Sequence, residues 1–226
     1  MTVNFTTWKG ITDGQTYGIP DTDLLHLDAT EINANDGDTL STWEDLSDSE
    51  RNLSAIGNPT YVNSGIGGKP SVEFDGSNDG FEITDNVSSL SALSFYYVGF
   101  NNSTDDDGSP LVLRENHDIQ FRYRDGFDDG RTGLNGTADA GVPSLHTFTS
   151  TDGESAQLYR EGNQEDSTTD VDLEGSRSGN GDFVGKREDD RYLDGQIAEI
   201  IMYEEDHDDE TRNNIESHLM SKWGIE

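Results

Sequence analysis

The chain has 226 residues, which is enough for one large β domain or two small domains. Its 47 Asp and Glu residues outnumber its 14 Lys and Arg residues and give a formal net charge of −33, so it lacks the basic stripe that would neutralise phosphates, and nucleic acid is excluded as a partner. The absence of cysteine excludes disulfides and thiolate metal sites.

The acidic excess predicts a protein adapted to concentrated salt. A coat of like charges repels itself at low ionic strength and destabilises the compact state. At about 1 M salt the screening length falls to roughly 3 Å, and most of that repulsion disappears. The alternative is a disordered acidic chain, which is disfavoured because the acidic residues are spread evenly and are interleaved with strand patterns.

Residues 1–23 differ from the rest of the chain. They are polar, and Thr2–Trp8 alternates enough to form a strand. The segment has neither the basic nor the apolar region of a secretion signal. We therefore expect it to be an attachment arm of a protein that assembles inside the cell.

From residue 24 onward, short apolar runs alternate with clusters of Gly, Asn and Asp. The first run is Leu24–Asp28, and Val72–Phe74 and Phe81–Ile83 flank the turn Asp75–Gly80, which predicts a hairpin. Many short strands of this kind are typical of a sandwich or barrel, and no apolar run is long enough for membrane insertion. The further predicted strands are Leu93–Phe100, Leu111–Arg114, Ile119–Arg124, His146–Thr151, Ala156–Arg160, Asp182–Lys186 and Gln196–Tyr203.

One helix is predicted, at about residues 208–222. Asp208 suits its N-terminus, and Gly224 suits the position after its last turn. Ile215 and Leu219 are four residues apart and give the helix one narrow apolar face. We expect this helix to pack on the sandwich as a terminal lid.

Four segments together resemble the laminin G-like branch of the concanavalin A-like lectin/glucanase superfamily. Leu25–Trp43 (LHLDATEINANDGDTLSTW) is similar to the opening stretch of that family, and Gly68–Ile83 (GKPSVEFDGSNDGFEI) to its "FDG" segment. Gln157–Asn163 (QLYREGN) is similar to its "lYvNG" strand and turn, and Tyr192–Ile225 to its closing strand and final helix. The four matches occur in order across nearly the whole chain.

The resemblance implies an all-β fold, an antiparallel two-sheet jelly-roll sandwich with a C-terminal helix, as one domain over residues 24–226. It does not fix the function, because lectins, adhesion modules, virion proteins and glycosidases share this fold.

The case for a glycosidase is weak. Hydrolysis of a glycosidic bond needs two carboxylates roughly 5–10 Å apart. Glucanases of the superfamily carry an E-x-D-x-x-E strand motif, and Glu73 and Asp75 begin that pattern, but Asn78 stands in place of the second Glu. We therefore expect no enzyme activity and assign no catalytic residues.

The resemblance also implies a possible Ca²⁺ or other cation on the rim of the sandwich, held by oxygen ligands from loops. Asp75, Asn78 and Asp79 are the best candidate metal ligands, because a hairpin would fix their geometry. The loops at residues 33–38 and 105–107 are weaker candidates. The alternative, which we favour, is that these are solvated turns in which Asp and Asn bond their own backbone.

Glycan binding needs aromatic platforms beside polar side chains. Tyr123, Asp125 and Phe127, beside a glycine-rich loop, are the candidate ligand-binding residues. Trp43 lies inside a family match and is expected to pack in the core.

The main hypothesis is a non-enzymatic structural and attachment protein on the virion surface of a halophilic virus. It would form homo-oligomers, contact other virion proteins and bind cell-surface glycans. The alternative is a carbohydrate-binding or adhesion domain of a haloarchaeal surface protein, and a glycoside hydrolase is the third hypothesis.

Overall fold

The computed structural model confirms the predicted all-β, antiparallel two-sheet sandwich with a C-terminal helix. Within its described residues there are sixteen strands and one α-helix. Those residues are 19–88, 90–104, 107–113, 117, 119–124, 126–129, 132–173, 181–187, 189 and 191–226.

Each sheet contains eight strands. In spatial order the first sheet consists of β14 (Asn163–Thr169), β13 (Ser155–Arg160), β12 (Ser144–Thr151), β7 (Ala92–Asn101), β16 (Asp194–Tyr203), β5 (Ser71–Asp75) and β4 (Thr60–Val62), with β1 (Leu25–Asp28) beside the second half of β16. The second sheet consists of β11 (Asn135–Gly136), β10 (Phe127–Asp129), β9 (Ile119–Tyr123), β8 (Leu111–Leu113), β15 (Asp182–Val184), β6 (Gly80–Ile83), β3 (Leu53–Ile56) and β2 (Thr42–Trp43).

The main core lies between the two sheets, and strand alternation places it there. In β9, Ile119, Phe121 and Tyr123 belong to the core cluster, whereas Gln120 and Arg122 alternate with them on the opposite face of the sheet. Trp43 is buried in this core and packs edge-on against a Phe ring, as expected from the sequence.

A second apolar layer covers the outer face of the first sheet. Helix α1 (Asp209–Trp223) packs Ile215, Leu219 and Trp223 against residues of β7 and β16 such as Tyr96 and Ile201. The predicted helix is therefore confirmed in position and in its role as a lid.

Capping interactions fix both ends of α1. The Asp208 carboxylate accepts a 2.8 Å hydrogen bond from the backbone N–H of Thr211. Gly224 ends the helix in the left-handed region at φ 65°.

The predicted hairpin at residues 72–83 is wrong. Both strands exist, but β5 pairs with β4 and β16 in the first sheet, whereas β6 pairs with β3 and β15 in the second. The turn between them therefore crosses from one sheet to the other at the end of the sandwich. Alternating apolar residues fix which face is buried, but they do not specify the partner strand.

The division of the chain at residue 23 stays a prediction, and the expected strand at Thr2–Trp8 lies outside the described residues. Residues 19–23 contact the sandwich. The Tyr203 hydroxyl donates to the carbonyl of Pro20 at 3.2 Å, and Thr22 is buried.

Candidate functional site

A cleft of about 670 Å³ opens where the chain passes from β1 in the first sheet to β2 in the second. We call it the rim cleft; residues between Asp28 and Leu46 line it. Ile32 and Ala34 are half-buried in its wall, and Leu46 is 42% exposed. Its exposed polar lining consists of Glu31, Asn33, Asn35, Asp38, Thr39, Ser41, Thr42 and Glu44.

Hydrogen bonds within a tight turn shape one wall of the rim cleft. The Asp38 carboxylate accepts bonds from the backbone N–H and the side-chain amide of Asn35 at 2.8 and 3.0 Å. Both bonds lower the pKa of the Asp38 carboxyl, and the bond from the backbone N–H has the larger effect. Gly37 turns the chain at φ 83° and donates to the carbonyl of Tyr61 in β4. The wall is thus tied to the first sheet.

The buried carboxylate of Asp45 organises the other wall. It accepts bonds from the backbone N–H groups of His26, Ser47 and Arg51 at 2.8–3.0 Å. The hydroxyls of Ser47 and Ser49 donate to it as well. This network positions the exposed side chain of Leu46 at the cleft, and it makes Asp45 a structural residue.

A buried ionic network underlies the cleft at Asp28. Lys222 of α1 donates to Asp28 at 2.6 Å and to Glu199 at 2.7 Å. Glu199 also accepts from Trp223 Nε1 at 2.6 Å and lies 3.0 Å from His26 Nε2. The network therefore connects the cleft to the C-terminal helix.

A β-bulge in β16 turns Glu199 toward this network. Ile197 and Ile200 both face the main core. In a regular strand every second residue points to the same side, so Glu199 would follow Ile197 into that core. The pairing register with β7 shifts between Ile197 and Glu199. The extra residue places Glu199 on the helix side of the sheet.

In this network, pairing with opposite charges has a larger effect on the pKa values of Glu199 and Lys222 than burial has. Burial by itself raises the pKa of Glu199, but the hydrogen bond from His26 and the charge of Lys222 leave it below its ordinary value. Burial lowers the pKa of Lys222, yet Glu199 and Asp28 raise it above its ordinary value. Candidate ligand atoms of His26, Asp28 and Glu199 lie within 4.8 Å of one another, but the Lys222 ammonium already bridges the two carboxylates.

The candidate metal ligands Asp75, Asn78 and Asp79 do share one turn. The Asp75 carboxylate accepts from the backbone N–H groups of Ser77 and Asn78 at 2.8 and 3.1 Å. Asp79 accepts from the backbone N–H of Asn58 at 2.7 Å. Burial and, to a smaller extent, the charge of Asp75 raise the pKa of Asp79, although the hydrogen bond from Asn58 by itself lowers it. These contacts account for the carboxylates as turn residues, and the metal site stays a prediction.

Two of the three candidate ligand-binding residues do not form a surface platform. Tyr123 and Phe127 are 1% and 0% exposed and stack inside the sandwich with Tyr97 and His146. Their burial was predictable from the period-2 pattern of β9, which points Tyr123 inward with Phe121. Asp125 lies outside the described residues.

Glu73 and Asp75 face the same side of β5 and are both exposed. Asp75 is held in the turn described above, as the Asp75-Gly76 pair indicated.

The rim cleft was not predicted from the sequence as a ligand site. The sequence predicts only a weak cation loop at residues 33–38. In the structure, Asp36 accepts a hydrogen bond from the backbone N–H of Asn63, and Asp38 accepts one from Asn35. One usable signal was Leu46, an apolar residue within a polar run. With Val142 it is one of two large apolar side chains that are exposed in the described part of the chain.

Comparisons with known proteins identify the fold. No protein-family model matches the chain, and a search of curated proteins found no match. The fold matches the receptor binding domain of a botulinum neurotoxin C/D mosaic serotype, with a TM-score of 0.62 and 13% identity. It also matches the binding domain of botulinum neurotoxin DC in complex with SialylT and in complex with rat synaptotagmin II, with TM-scores of 0.61 and 0.63 and 13% identity.

Each of these matches covers 88% of this chain and 52% of the matched chain. The chain thus spans about half the length of those binding domains. At this identity the likeness establishes the two-sheet sandwich. Among the described residues, no helix combines the length and apolar character needed to cross a bilayer.

Proposed function

We propose that this protein is a non-enzymatic attachment module that binds a glycan in the rim cleft. The observation that carries the proposal is the composition of the cleft. Exposed amide, hydroxyl and carboxylate groups surround a half-buried apolar wall and the exposed side chain of Leu46. A concave site of this kind, mostly preformed and with a few oriented polar groups, is typical of ligand binding.

The chemistry of a sugar fits this lining. Its hydroxyls donate to carboxylates such as Glu44 and exchange hydrogen bonds with amides such as Asn33, while its C–H face packs on Ile32 and Leu46. Both walls are fixed by backbone hydrogen bonds, so little ordering accompanies binding. The fold is also that of structures described as receptor-binding domains, one of them in complex with SialylT.

A glycan array in about 2 M NaCl, followed by calorimetry, tests the proposal. Asn33→Ala and Leu46→Ala should each weaken binding of a positive glycan by about 10-fold, or about 1.4 kcal/mol. Val142→Ala is the matched control, because it removes the same kind of exposed apolar surface outside the cleft. Equal affinities for all variants would reject the rim cleft as the site.

We further propose that the module works on the virion surface of a halophilic virus, as a homo-oligomer. The net charge of −33 supports a high-salt setting, and the laminin G-like segments support an adhesion role. The alternative is the binding domain of a haloarchaeal surface protein, which would also carry an acidic coat.

Sedimentation velocity in about 3 M NaCl separates these two settings. The full chain should sediment as an oligomer, and a chain lacking residues 1–18 should sediment as a monomer. This truncation keeps the contact between Pro20 and Tyr203. A full-length monomer would favour the surface-protein alternative.

A further inference from the structure

The rim cleft carries an excess of negative charge on its lining. Of its 14 lining residues, all of which the structure describes, the acidic ones are Asp28, Glu31, Asp38 and Glu44, and none is Lys or Arg. Asp28 is 7% exposed and pairs with Lys222 at 2.6 Å, whereas Glu31, Asp38 and Glu44 are exposed. Three carboxylates are therefore open to a ligand, and no cation of the lining balances them.

Both walls of the rim cleft contribute an exposed carboxylate. Asp38 belongs to the wall that the tight turn at Asn35 shapes, and the two bonds from Asn35 hold its carboxylate in place and lower its pKa, so the group is ionised at neutral pH. Glu44 belongs to the other wall, next to Asp45, whose buried carboxylate fixes that wall through backbone N–H groups. A cation bound between the walls therefore meets negative charge on each side.

Trp43 adds an unpaired hydrogen-bond donor to the same lining. Its side chain is 1% exposed and belongs to the buried part of the lining, together with Asp28 and Leu40. The indole Nε1–H finds no acceptor among the described residues, which include every residue from 19 to 88. A buried donor without an acceptor is unfavourable, and a ligand oxygen placed against Trp43 removes that penalty. The donor and the carboxylates together indicate a ligand with both a cation and oxygen acceptors.

We infer that the rim cleft binds a saccharide with a free, protonated amino group. The ammonium pairs with carboxylates of the two walls, such as Asp38 and Glu44, through charge-assisted hydrogen bonds. A ring or hydroxyl oxygen of the same sugar accepts from Trp43 Nε1. A glycan with a carboxylate of its own is rejected, because like charges would be brought together in the cleft. The inference rests on the proposed function, since it specifies the class of glycan for the same cleft.

Calorimetry with two trisaccharides tests this inference in about 1 M NaCl at about pH 6, where the sugar amines are protonated. The glucosamine trimer should bind at least about 10-fold more tightly than the N-acetylglucosamine trimer, which has the same backbone without the charge. Glu44→Gln keeps an oxygen acceptor, so it should reduce this preference by at least about 3-fold and leave the affinity for the neutral trimer unchanged. Glu154→Gln makes the same charge change at an exposed residue between β12 and β13, outside the cleft, and should leave the preference unchanged.

Trilysine controls for a general attraction of cations to an acidic protein, because it carries ammonium groups without sugar rings. Binding of trilysine as tight as that of the glucosamine trimer would overturn the inference. Equal affinities for the two trimers, failure of the glucosamine trimer to bind, or equal effects of Glu44→Gln and Glu154→Gln would overturn it too.

Trp43→Phe tests the donor, because it keeps an aromatic ring in the core and removes the N–H. It should weaken the binding of both trimers, and unchanged affinities would count against the inference. The proposed function fails by a separate result, namely that Asn33→Ala and Leu46→Ala leave the binding of array-positive glycans unchanged. The two conclusions can therefore be rejected independently.

Discussion

His146 is a titratable residue in the interior of the sandwich. It is fully buried on β12, with its ring stacked 3.9 Å from that of Phe127 and its Nε2 2.8 Å from the Ser144 hydroxyl. Burial, with a smaller effect from the charge of Arg160, lowers the pKa of His146 to about 3. The residue therefore stays neutral in the folded protein at pH values where an unfolded chain would protonate it.

The free energy of unfolding should consequently fall as the pH drops from about 6.5 toward 3, because only the unfolded state binds this proton. One proton gives a slope of at most about 1.4 kcal/mol per pH unit. His146→Phe keeps the ring stack and should reduce that slope in urea titrations at several pH values, and the slope that remains includes His207, whose pKa burial lowers to about 4. An unchanged slope in His146→Phe would contradict this assignment.

Among the secondary-structure elements, α1 is attached to the first sheet by its apolar face and by one buried ionic network. The helix contributes Lys222 and Trp223, and the bulge in β16 contributes Glu199. Asp28 joins the network from the edge of the rim cleft. The lid and the cleft are therefore coupled through one set of charges.

Lys222→Met should lower the free energy of unfolding by about 3–5 kcal/mol, because it leaves the carboxylate of Glu199 buried without its main cation. Urea denaturation at pH 7 measures this change, with Lys69→Met as the control of equal charge. The loss should diminish in acid as Glu199 protonates. A carboxyl group whose pKa is lowered by folding stabilises the protein above its unfolded pKa, and this contribution disappears as the pH falls through its folded pKa. A change below about 0.5 kcal/mol would place Lys222 among ordinary surface lysines.

Edge protection is a second property of the elements. β11 lies at the edge of the second sheet and close to β13 and β14 of the first. The backbone N–H groups of Asn135 and Thr137 donate to the carboxylates of Asp166 and Glu165 at 3.0 and 2.8 Å. Acidic side chains thus satisfy an edge that could otherwise pair with another chain.

At the scale of the whole molecule, the charge determines the conditions for folding. A net charge of −33 opposes compaction wherever screening is weak. The thermal midpoint should rise by on the order of 10 °C between about 0.1 and 2 M NaCl, since the screening length falls from about 10 Å to less than 3 Å.

Circular dichroism during heating measures this shift, and MgCl₂ at lower concentration should reproduce it if carboxylate screening is the cause. Sucrose at matched osmolality is the control for a general excluded-solute effect. A midpoint independent of salt would remove the physical basis for the high-salt setting.

The amino-acid sequence by itself determined ten of the sixteen strands with their buried faces, the C-terminal helix with its caps and the acidic surface, whereas the strands β2, β3, β4, β10, β11 and β14 were not predicted. These are local properties: alternation in β9, capping at Asp208 and the count of carboxylates can be read without knowing any distant contact. The same alternation in β9 also indicates that Tyr123 is buried, which contradicts its prediction as a ligand-binding residue.

Only the tertiary structure decided what depends on distant partners. The assignment of β5 and β6 to different sheets rests on pairing with strands such as β16, more than 100 residues away. The side of the sheet that Glu199 faces depends on a bulge, and the rim cleft depends on how the β1–β2 connection lies against β4.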